Sequence, residues 1–326
     1  MRRRPTNLLP VLAAVLAAAL VGGCGPAGAS PSGTGSSASS GRVEVVATTT
    51  VFADLVRQVG GDRVTVSSLV PAGVDVHTFD PRPADAVRVA KAQLAVMNGL
   101  GLDDWLERLI ASAGAGSLPV VKLAVDLPGV TYLAGTAEPG VAGGVAAHGS
   151  AAPGGVNPHL WLNVAYAKKY VERIATALAR VDPAGAPLYA DRSAAYASRL
   201  DALDAEIRAD LAQIPSGNRR IVSYHDAFPY FAAAYGVTVV GNVVAAPGQE
   251  PSAGEVAALI DAIRSSGVRA VLTEVQFNPA LAETVARETG VTIVGDLYTG
   301  TLGPPPADTY VGMMRWDVAR LVGALT

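Results

Sequence analysis

Short apolar runs alternate with amphipathic segments along most of this chain. In the first half the strand-like runs are residues 43–47, 64–70, 94–97 and 120–123, and in the second half they are residues 221–224, 237–240, 270–273 and 292–294. The segments between them have helical spacing. This alternation predicts an α/β fold with parallel sheets covered by helices, and the 284 residues of 43–326 are enough for two lobes with separate cores.

One long helical pattern separates the two groups of strands. Residues 187–214 contain no glycine, and no proline after Pro187, while apolar side chains recur at three-, four- or seven-residue steps. These side chains are Tyr189, Tyr196, Leu200, Leu203, Ile207 and Leu211. The pattern predicts a single amphipathic helix of about 26 residues, roughly 39 Å long. It is either a surface helix packed on one sheet or a stiff connector between two lobes.

The first residues have the three zones of a secretory signal. Arginines at positions 2–4 precede an apolar run at residues 8–21, and small residues then lead to Cys24. The apolar run is shorter than the roughly 20 residues that a membrane span needs, which argues against an uncleaved anchor. Residues 21–24, Val-Gly-Gly-Cys, resemble a bacterial lipobox, in which the cysteine becomes the lipidated first residue. We therefore expect residues 1–23 to be a signal peptide and Cys24 to carry lipid.

A flexible tether is expected after the lipidated cysteine. Residues 25–42 are almost entirely Gly, Ser, Ala, Pro and Thr, without a large apolar side chain, so they cannot bury a core. Residues 24–42 would hold the folded body close to the membrane of a bacterium. The expected location is therefore extracytoplasmic and lipid-anchored.

Charge and cysteine content restrict the possible partners. Signal cleavage removes three arginines and lowers the basic residues from 25 to 22 against 28 acidic ones, a net charge of −6. Such a surface offers nothing to nucleic acid, and the membrane link would be the lipid itself. Cys24 is the only cysteine, so no internal disulfide can form, and lipidation leaves no thiol for metal binding or nucleophilic catalysis. Any metal site must use imidazole and oxygen.

Three of the four histidines lie in short segments next to strand candidates or ahead of a helix. They are His77, His159 and His225. Ligands of open α/β sheets collect at the carboxyl ends of the strands, so three such histidines could converge on a cleft. Their spacings of 82 and 66 residues match no local zinc motif, and a lone histidine is by default an ordinary buried or surface group. Spacing alone leaves both interpretations open.

The residues around these histidines resemble the metal-binding stretches of the zinc- and manganese-specific solute-binding proteins of ABC transporters. The stretches are Gly-Val-Asp-Val-His-Thr-Phe-Asp-Pro at 73–81, Asn-Pro-His-Leu-Trp at 157–161 and Tyr-His-Asp-Ala-Phe at 224–228. Gly-Asp-Leu-Tyr at 295–298 and Thr-Tyr-Val-Gly-Met-Met at 309–314 resemble the fourth stretch and the final helix of that family. The resemblance covers residues 43–326 in the same order.

This resemblance implies two lobes, each with a four-stranded parallel sheet, and one divalent metal bound between them. The lobes would be residues 43–186 and 215–326, joined by a rigid helix at 187–214. Carried over position by position, the ligands are His77 and His159 from the first lobe, and His225 and Asp296 from the second. The resemblance thus favours the stiff connector over the surface helix. The function of such a helix would be to limit the movement of the two lobes.

The expected donor set favours zinc. Three imidazoles and one carboxylate suit Zn²⁺ in near-tetrahedral geometry, whereas oxygen donors suit Mn²⁺. Manganese members of the family usually have a carboxylate where this chain has His225, but some members with three histidines and an aspartate accept manganese, so Mn²⁺ is the alternative. A filled shell leaves no open position for catalysis, and the chain has no HExxH or GxSxG pattern. We therefore expect that the protein is not an enzyme. If Asp296 does not bind the metal, a water molecule would complete the coordination shell.

Two further residues have weaker assignments. Glu274 ends a strand candidate near the expected cleft and could orient a ligand histidine, or equally cap the next loop or face solvent. His148 and Glu138 are the only histidine and acid in residues 135–156, a segment rich in Gly, Ala and Pro. Family members often have a ligand-rich loop here that gathers metal; in this chain we expect His148 to be solvent-exposed.

The resulting hypothesis is a monomeric carrier that captures zinc outside the cell and delivers it to the membrane permease of an ABC transporter. Two alternatives stay open. One is a manganese carrier, and the other is an adhesin or interaction protein in which the metal only stabilises the fold, because adhesins have been described within the same family.

Overall fold

The first predicted sheet is present in the computed structural model, which describes residues 41–135 and 155–326. Its strands are β1 (Val43–Ala47), β2 (Val64–Ser68), β3 (Leu94–Met97) and β4 (Val120–Lys122). All pairs are parallel, in the order β2-β1-β3-β4.

The second sheet repeats this arrangement. Its strands are β5 (Arg220–Ser223), β6 (Thr238–Asn242), β7 (Ala270–Glu274) and β8 (Thr292–Leu297), in the parallel order β6-β5-β7-β8. In each sheet the second strand in chain order pairs with one edge of the first strand, and the third strand pairs with its opposite edge. The carboxyl ends on either side of this reversal form the crevice in which α/β proteins bind ligands.

Helices flank both sheets. In the first lobe they are α1 (Thr50–Gly60), α2 (Pro83–Lys91), α3 (Trp105–Ser112) and α4 (Val164–Val181). After the long helix α5 (Ala186–Ala212) follow α6 (Pro229–Tyr235), α7 (Ala253–Ser266), α8 (Ala280–Thr289) and α9 (Tyr310–Leu325). Side-chain caps define several of these starts; the Thr49 and Thr309 hydroxyls, for example, accept backbone N–H groups of α1 and α9.

The long helix α5 has 27 residues and confirms the predicted connector between the lobes. All six apolar side chains of the predicted stripe are buried. The helix packs against α1 and α4 of the first lobe and against α6 and α9 of the second. It therefore contacts both lobes and is not a surface helix on a single sheet.

The two lobes share one apolar core. A continuous cluster of buried side chains runs from the first sheet through α4 and α5 to α9, while a smaller cluster lies between β5, β7, α7 and α8. Trp161 is fully buried within the shared core. Its Nε1 donates to Thr299 O at 2.6 Å, and its carbonyl accepts from the Tyr310 hydroxyl at 2.7 Å. The interlobe contact thus includes directed hydrogen bonds as well as apolar packing.

Some expectations fall on residues 1–40 and 136–154, which lie outside the described ranges. These are the signal peptide, lipidation at Cys24, nearly all of the tether, and the positions of Glu138 and His148. Within the ranges that are described, no helix has the length and apolar composition needed to cross a bilayer.

Candidate metal centre

His77 lies in the loop between β2 and α2, and an aspartate-centred turn shapes this loop. The Asp75 carboxylate accepts from the backbone N–H of His77 at 3.3 Å, and from the N–H and hydroxyl of Thr78 at 3.1 and 2.7 Å. Trp105 Nε1 donates to the carbonyl of Val76 at 3.2 Å and holds the loop against α3. These bonds hold a partly buried His77 at the edge of the first sheet.

His159 immediately precedes the 3-10 helix Leu160–Leu162, and Asn157 orients its ring. Asn157 Oδ1 accepts from the His159 N–H at 3.0 Å and lies 3.1 Å from His159 Nδ1. Asn157 Nδ2 donates to the Asp226 carbonyl at 2.7 Å, so the oxygen is the amide atom that faces His159. Because this oxygen can only accept, His159 Nδ1 carries the hydrogen and Nε2 has a free lone pair.

His225 follows β5, and Glu274 at the end of β7 fixes its tautomer. His225 Nδ1 lies 2.8 Å from Glu274 Oε1, and both side chains are almost completely buried. The carboxylate also accepts from the Thr299 hydroxyl and, at 3.0 Å, from Gln276 Nε2. With its hydrogen on Nδ1, His225 presents the Nε2 lone pair on the side away from Glu274.

The three rings converge through their Nε2 atoms. His159 Nε2 lies 3.2 Å from the Nε2 of His77 and 3.2 Å from the Nε2 of His225. For zinc–nitrogen bonds of about 2.0–2.1 Å, a tetrahedral shell separates two nitrogen ligands by about 3.3 Å. Two neutral imidazoles whose Nε2 lone pairs face each other at this distance repel unless a metal ion or a proton lies between them. Among the described residues this is the one group of three histidine, cysteine or carboxylate side chains with metal-ligand proximity.

Electrostatics keep most of this cluster neutral. Burial lowers the pKa of His77 to about 4, with the charge of His225 acting in the same direction. Burial is also the main cause that holds the pKa of His159 well below its usual range. At His225 burial opposes protonation, but the charge of Glu274 and the hydrogen bond to it outweigh burial and raise the pKa. His77 and His159 therefore have the neutral form that binds metal at neutral pH.

Both lobes enclose the centre. A cavity of about 10 Å³ adjoins all three histidines, and Gln276, Thr299 and Gly300 of the second lobe also line it. An open groove of about 250 Å³ reaches the same histidines past Leu100 and Pro247 and gives access from solvent. Another groove, of about 720 Å³, runs between β4 and α4 and contains none of the histidines, so a large volume does not mark the metal centre.

Asp296 is not part of the cluster, and its expected role as fourth ligand is corrected. Between paired positions, β7 advances from Leu272 to Glu274 while β8 advances from Val294 to Leu297, so β8 has one extra residue. Asp296 lies in this bulge with φ of 58°, and its side chain is 69% exposed. Its carboxylate accepts from Arg320 Nη2 at 2.9 Å. The bulge turns the side chain toward solvent and away from the histidines.

Of the five residues expected at the site, the structure brings together His77, His159, His225 and Glu274. Sequence reasoning missed Asn157 and Gln276. Both had a positional signal, because Asn157 is two residues before a ligand candidate and Gln276 is two residues after Glu274. Their hydrogen bonds, however, depend on contacts between segments far apart in the chain.

Comparisons with known proteins agree with the fold and with the class of site. The profile of the family described as "ZnuA: Zinc-uptake complex component A periplasmic" matches residues 45–324. The manganese-binding lipoprotein MntA of Halalkalibacterium halodurans is 30% identical over 302 residues, which is 92% of this chain and 94% of that protein. The metal ABC transporter substrate-binding lipoprotein FimA of Streptococcus parasanguinis is 28% identical over 297 residues, 89% of this chain and 92% of that protein.

A solved structure shows the same architecture. The periplasmic zinc-binding protein TroA from Treponema pallidum superimposes with a TM-score of 0.77 and 26% sequence identity. The match covers 88% of this chain and all of that chain. Two parallel four-stranded sheets joined by a long helix are therefore a known fold.

Proposed function

This chain belongs to the periplasmic zinc-uptake component A family, and from this membership we propose that it is an extracytoplasmic carrier of divalent metal that prefers Zn²⁺. The metal is its cargo, held by His77, His159 and His225 between the lobes. The carrier then delivers it to the membrane permease of an ABC transporter. The family consists of substrate-binding transport proteins rather than enzymes.

One observation supports the cargo most strongly, the approach of the three Nε2 atoms. Asn157 and Glu274 accept from Nδ1 of His159 and His225, so in the neutral forms of both rings the two Nε2 lone pairs face each other across 3.2 Å. A cation between them removes the repulsion. The lobes thus hold three imidazoles with converging Nε2 atoms, of which His77 and His159 are neutral at neutral pH, beside an open groove to solvent.

The donor set supports zinc over manganese. Relatives are named for manganese, for iron and for zinc, so family membership does not decide among these metals. The chemistry of the donors favours zinc, because imidazole suits Zn²⁺ and oxygen donors suit Mn²⁺. With the Asp296 carboxylate facing Arg320, the described cluster contains three imidazoles and no carboxylate. Manganese is the second candidate.

The anchor and the transporter are supported by the sequence and by the named relatives. Two relatives are named lipoproteins, and FimA is named a substrate-binding lipoprotein of a metal ABC transporter. In this chain Cys24 follows a signal-like segment and would carry the lipid. A lipid at Cys24 would keep a monomeric carrier close to the permease.

Deletion of the gene from its host tests this function. We expect poor growth in zinc-depleted medium, restored by added zinc, and loss of uptake of radioactive zinc. If added manganese restores growth and added zinc does not, the cargo is manganese and not zinc. Normal uptake, together with unfolding of the purified protein on chelation, would instead support the adhesin alternative, in which metal only stabilises the fold.

A further inference from the structure

The amide oxygen of Gln276 has no hydrogen-bond partner. Gln276 Oε1 is one of only three buried side-chain nitrogen or oxygen atoms in the described residues that lack one. A buried acceptor without a donor destabilises the folded state. Such an atom requires a physical explanation, and a ligand is one.

Contacts of the amide nitrogen fix which way Gln276 is oriented. Its Nε2 donates to Glu274 Oε2 at 3.0 Å and to Thr299 Oγ1 at 2.9 Å. Glu274 Oε2 can only accept, and the Thr299 hydroxyl already gives its hydrogen to that same oxygen. Exchanging the two amide atoms would place Oε1 against two acceptors. The oxygen is therefore the atom left over for another partner.

Gln276 also lines the small cavity that adjoins the three histidines. A cavity of about 10 Å³ has room for a single ion or a single water molecule. An ion bound to the three Nε2 atoms would occupy this cavity. A tetrahedral zinc shell needs one more donor, and Gln276 Oε1 is the buried acceptor in the wall that has no partner.

We propose that Gln276 Oε1 is the fourth ligand of the bound metal. This inference rests on the proposed function and adds a ligand that replaces Asp296. One hydrogen-bond network then serves two ligands, because Glu274 accepts from both His225 and Gln276 and so positions a nitrogen donor and an oxygen donor. All four donors are neutral, and the buried Glu274 carboxylate behind two of them compensates part of the charge of the metal.

The test uses the whole secreted domain without affinity tag, residues 25–326, purified metal-free and then loaded with one equivalent of zinc. A crystal structure of this form should place Gln276 Oε1 about 2.0–2.2 Å from the zinc. Competition with a chromophoric chelator should show that Gln276→Leu weakens zinc binding by at least about tenfold. Gln213→Leu is the matched control, because Gln213 is an exposed residue at the end of α5, and its zinc affinity should equal that of the wild type.

The outcomes separate this inference from the proposed function. Zinc on the three histidines with a water or another side chain in the fourth position would overturn the role of Gln276 and leave the carrier function standing. Zinc that does not bind the three histidines at all would overturn both. The wild-type crystal structure decides the question even if Gln276→Leu does not fold.

Discussion

His225 Nδ1 lies 2.8 Å from Glu274 Oε1, where β5 and β7 end side by side. One strand thus provides a metal-ligand candidate and its neighbour provides the carboxylate that orients it. Because both side chains are buried, water does not compete for this bond. The contact holds the Nε2 atom of His225 toward His159 before any metal arrives.

Replacing the orienting carboxylate should weaken metal binding without removing a nitrogen donor. We expect Glu274→Gln to reduce zinc affinity by about tenfold, because the imidazole loses its charged partner. Calorimetric titration with zinc would measure this loss. Glu283→Gln, an exposed change on α8 of the same lobe, serves as the control and should bind like the wild type. Equal affinity in both variants would show that Glu274 does not support the site.

Removing one imidazole should have a larger effect. His225→Ala deletes one of three converging nitrogens, so we expect zinc affinity to fall by at least about tenfold while the circular dichroism spectrum stays native. His148→Ala is the matched histidine control and should leave the affinity unchanged. Unchanged affinity in His225→Ala would refute the assignment of the site.

Asp296 provides a test of the correction made by the structure. Asp296→Asn should leave zinc affinity unchanged, because this carboxylate pairs with Arg320 at an exposed position. Asparagine also tolerates the positive φ of 58° at this position. An exposed ion pair contributes at most about 1 kcal/mol, so the free energy of unfolding should change little. A tenfold loss of zinc affinity would restore Asp296 as a ligand.

The sequence predicted the architecture well because the fold depends on local patterns. The limits of β1 and β3 agree with the predicted strands to the residue, and the helix expected at 187–214 is found at Ala186–Ala212. A stretch with no glycine, no proline after its first residue and a repeated apolar stripe has few alternatives to a helix. The convergence of the three histidines could be expected because the residues around each one form a recognisable stretch.

The sequence did not predict which residue lies at the fourth ligand position, because that depends on the pairing register of β7 and β8. An extra residue in β8 turns Asp296 outward, and only the pairing of β7 with β8 reveals it. Gln276 was missed for a related reason. Its two donor contacts join residues on different segments, and an amide has no charge to mark it as a ligand in the sequence.

A buried carboxylate beside the site makes the stability of the metal-free protein depend on pH. Asp103 accepts from the Thr48 hydroxyl and from the N–H groups of Asn98 and Gly99, and Asn98 Nδ2 in turn donates to the Pro158 carbonyl next to His159. Burial raises the pKa of Asp103 from 3.8 to about 6. The folded state therefore keeps a proton that the unfolded chain has already lost, and stability falls as pH rises from about 4 to about 6.

Asp103→Asn cannot ionise and should lack this dependence. Urea unfolding of both metal-free proteins between pH 4 and 7 would give the difference in their free energies of unfolding. We expect the advantage of the wild type to shrink by on the order of 3 kcal/mol as pH rises through this range. A difference that stays constant or grows with pH would contradict the raised pKa.

The lipid anchor can be tested separately from the metal site. Cys24→Ser removes the thiol that would be lipidated, so we expect unprocessed precursor that incorporates no radioactive palmitate and partitions differently from the wild type in detergent extraction. Arg42→Ser, a change at the end of the tether, should keep the lipid. Normal lipid labelling of Cys24→Ser would refute the tether.

Metal analysis tests the central claim most directly. The domain would be purified without chelator or affinity tag, analysed by elemental mass spectrometry, and then offered zinc and manganese together at equal concentration. We predict one equivalent of zinc per chain that manganese does not displace, bound by His77, His159 and His225. Manganese in the site, or a chain that retains neither metal, would contradict a zinc-preferring carrier.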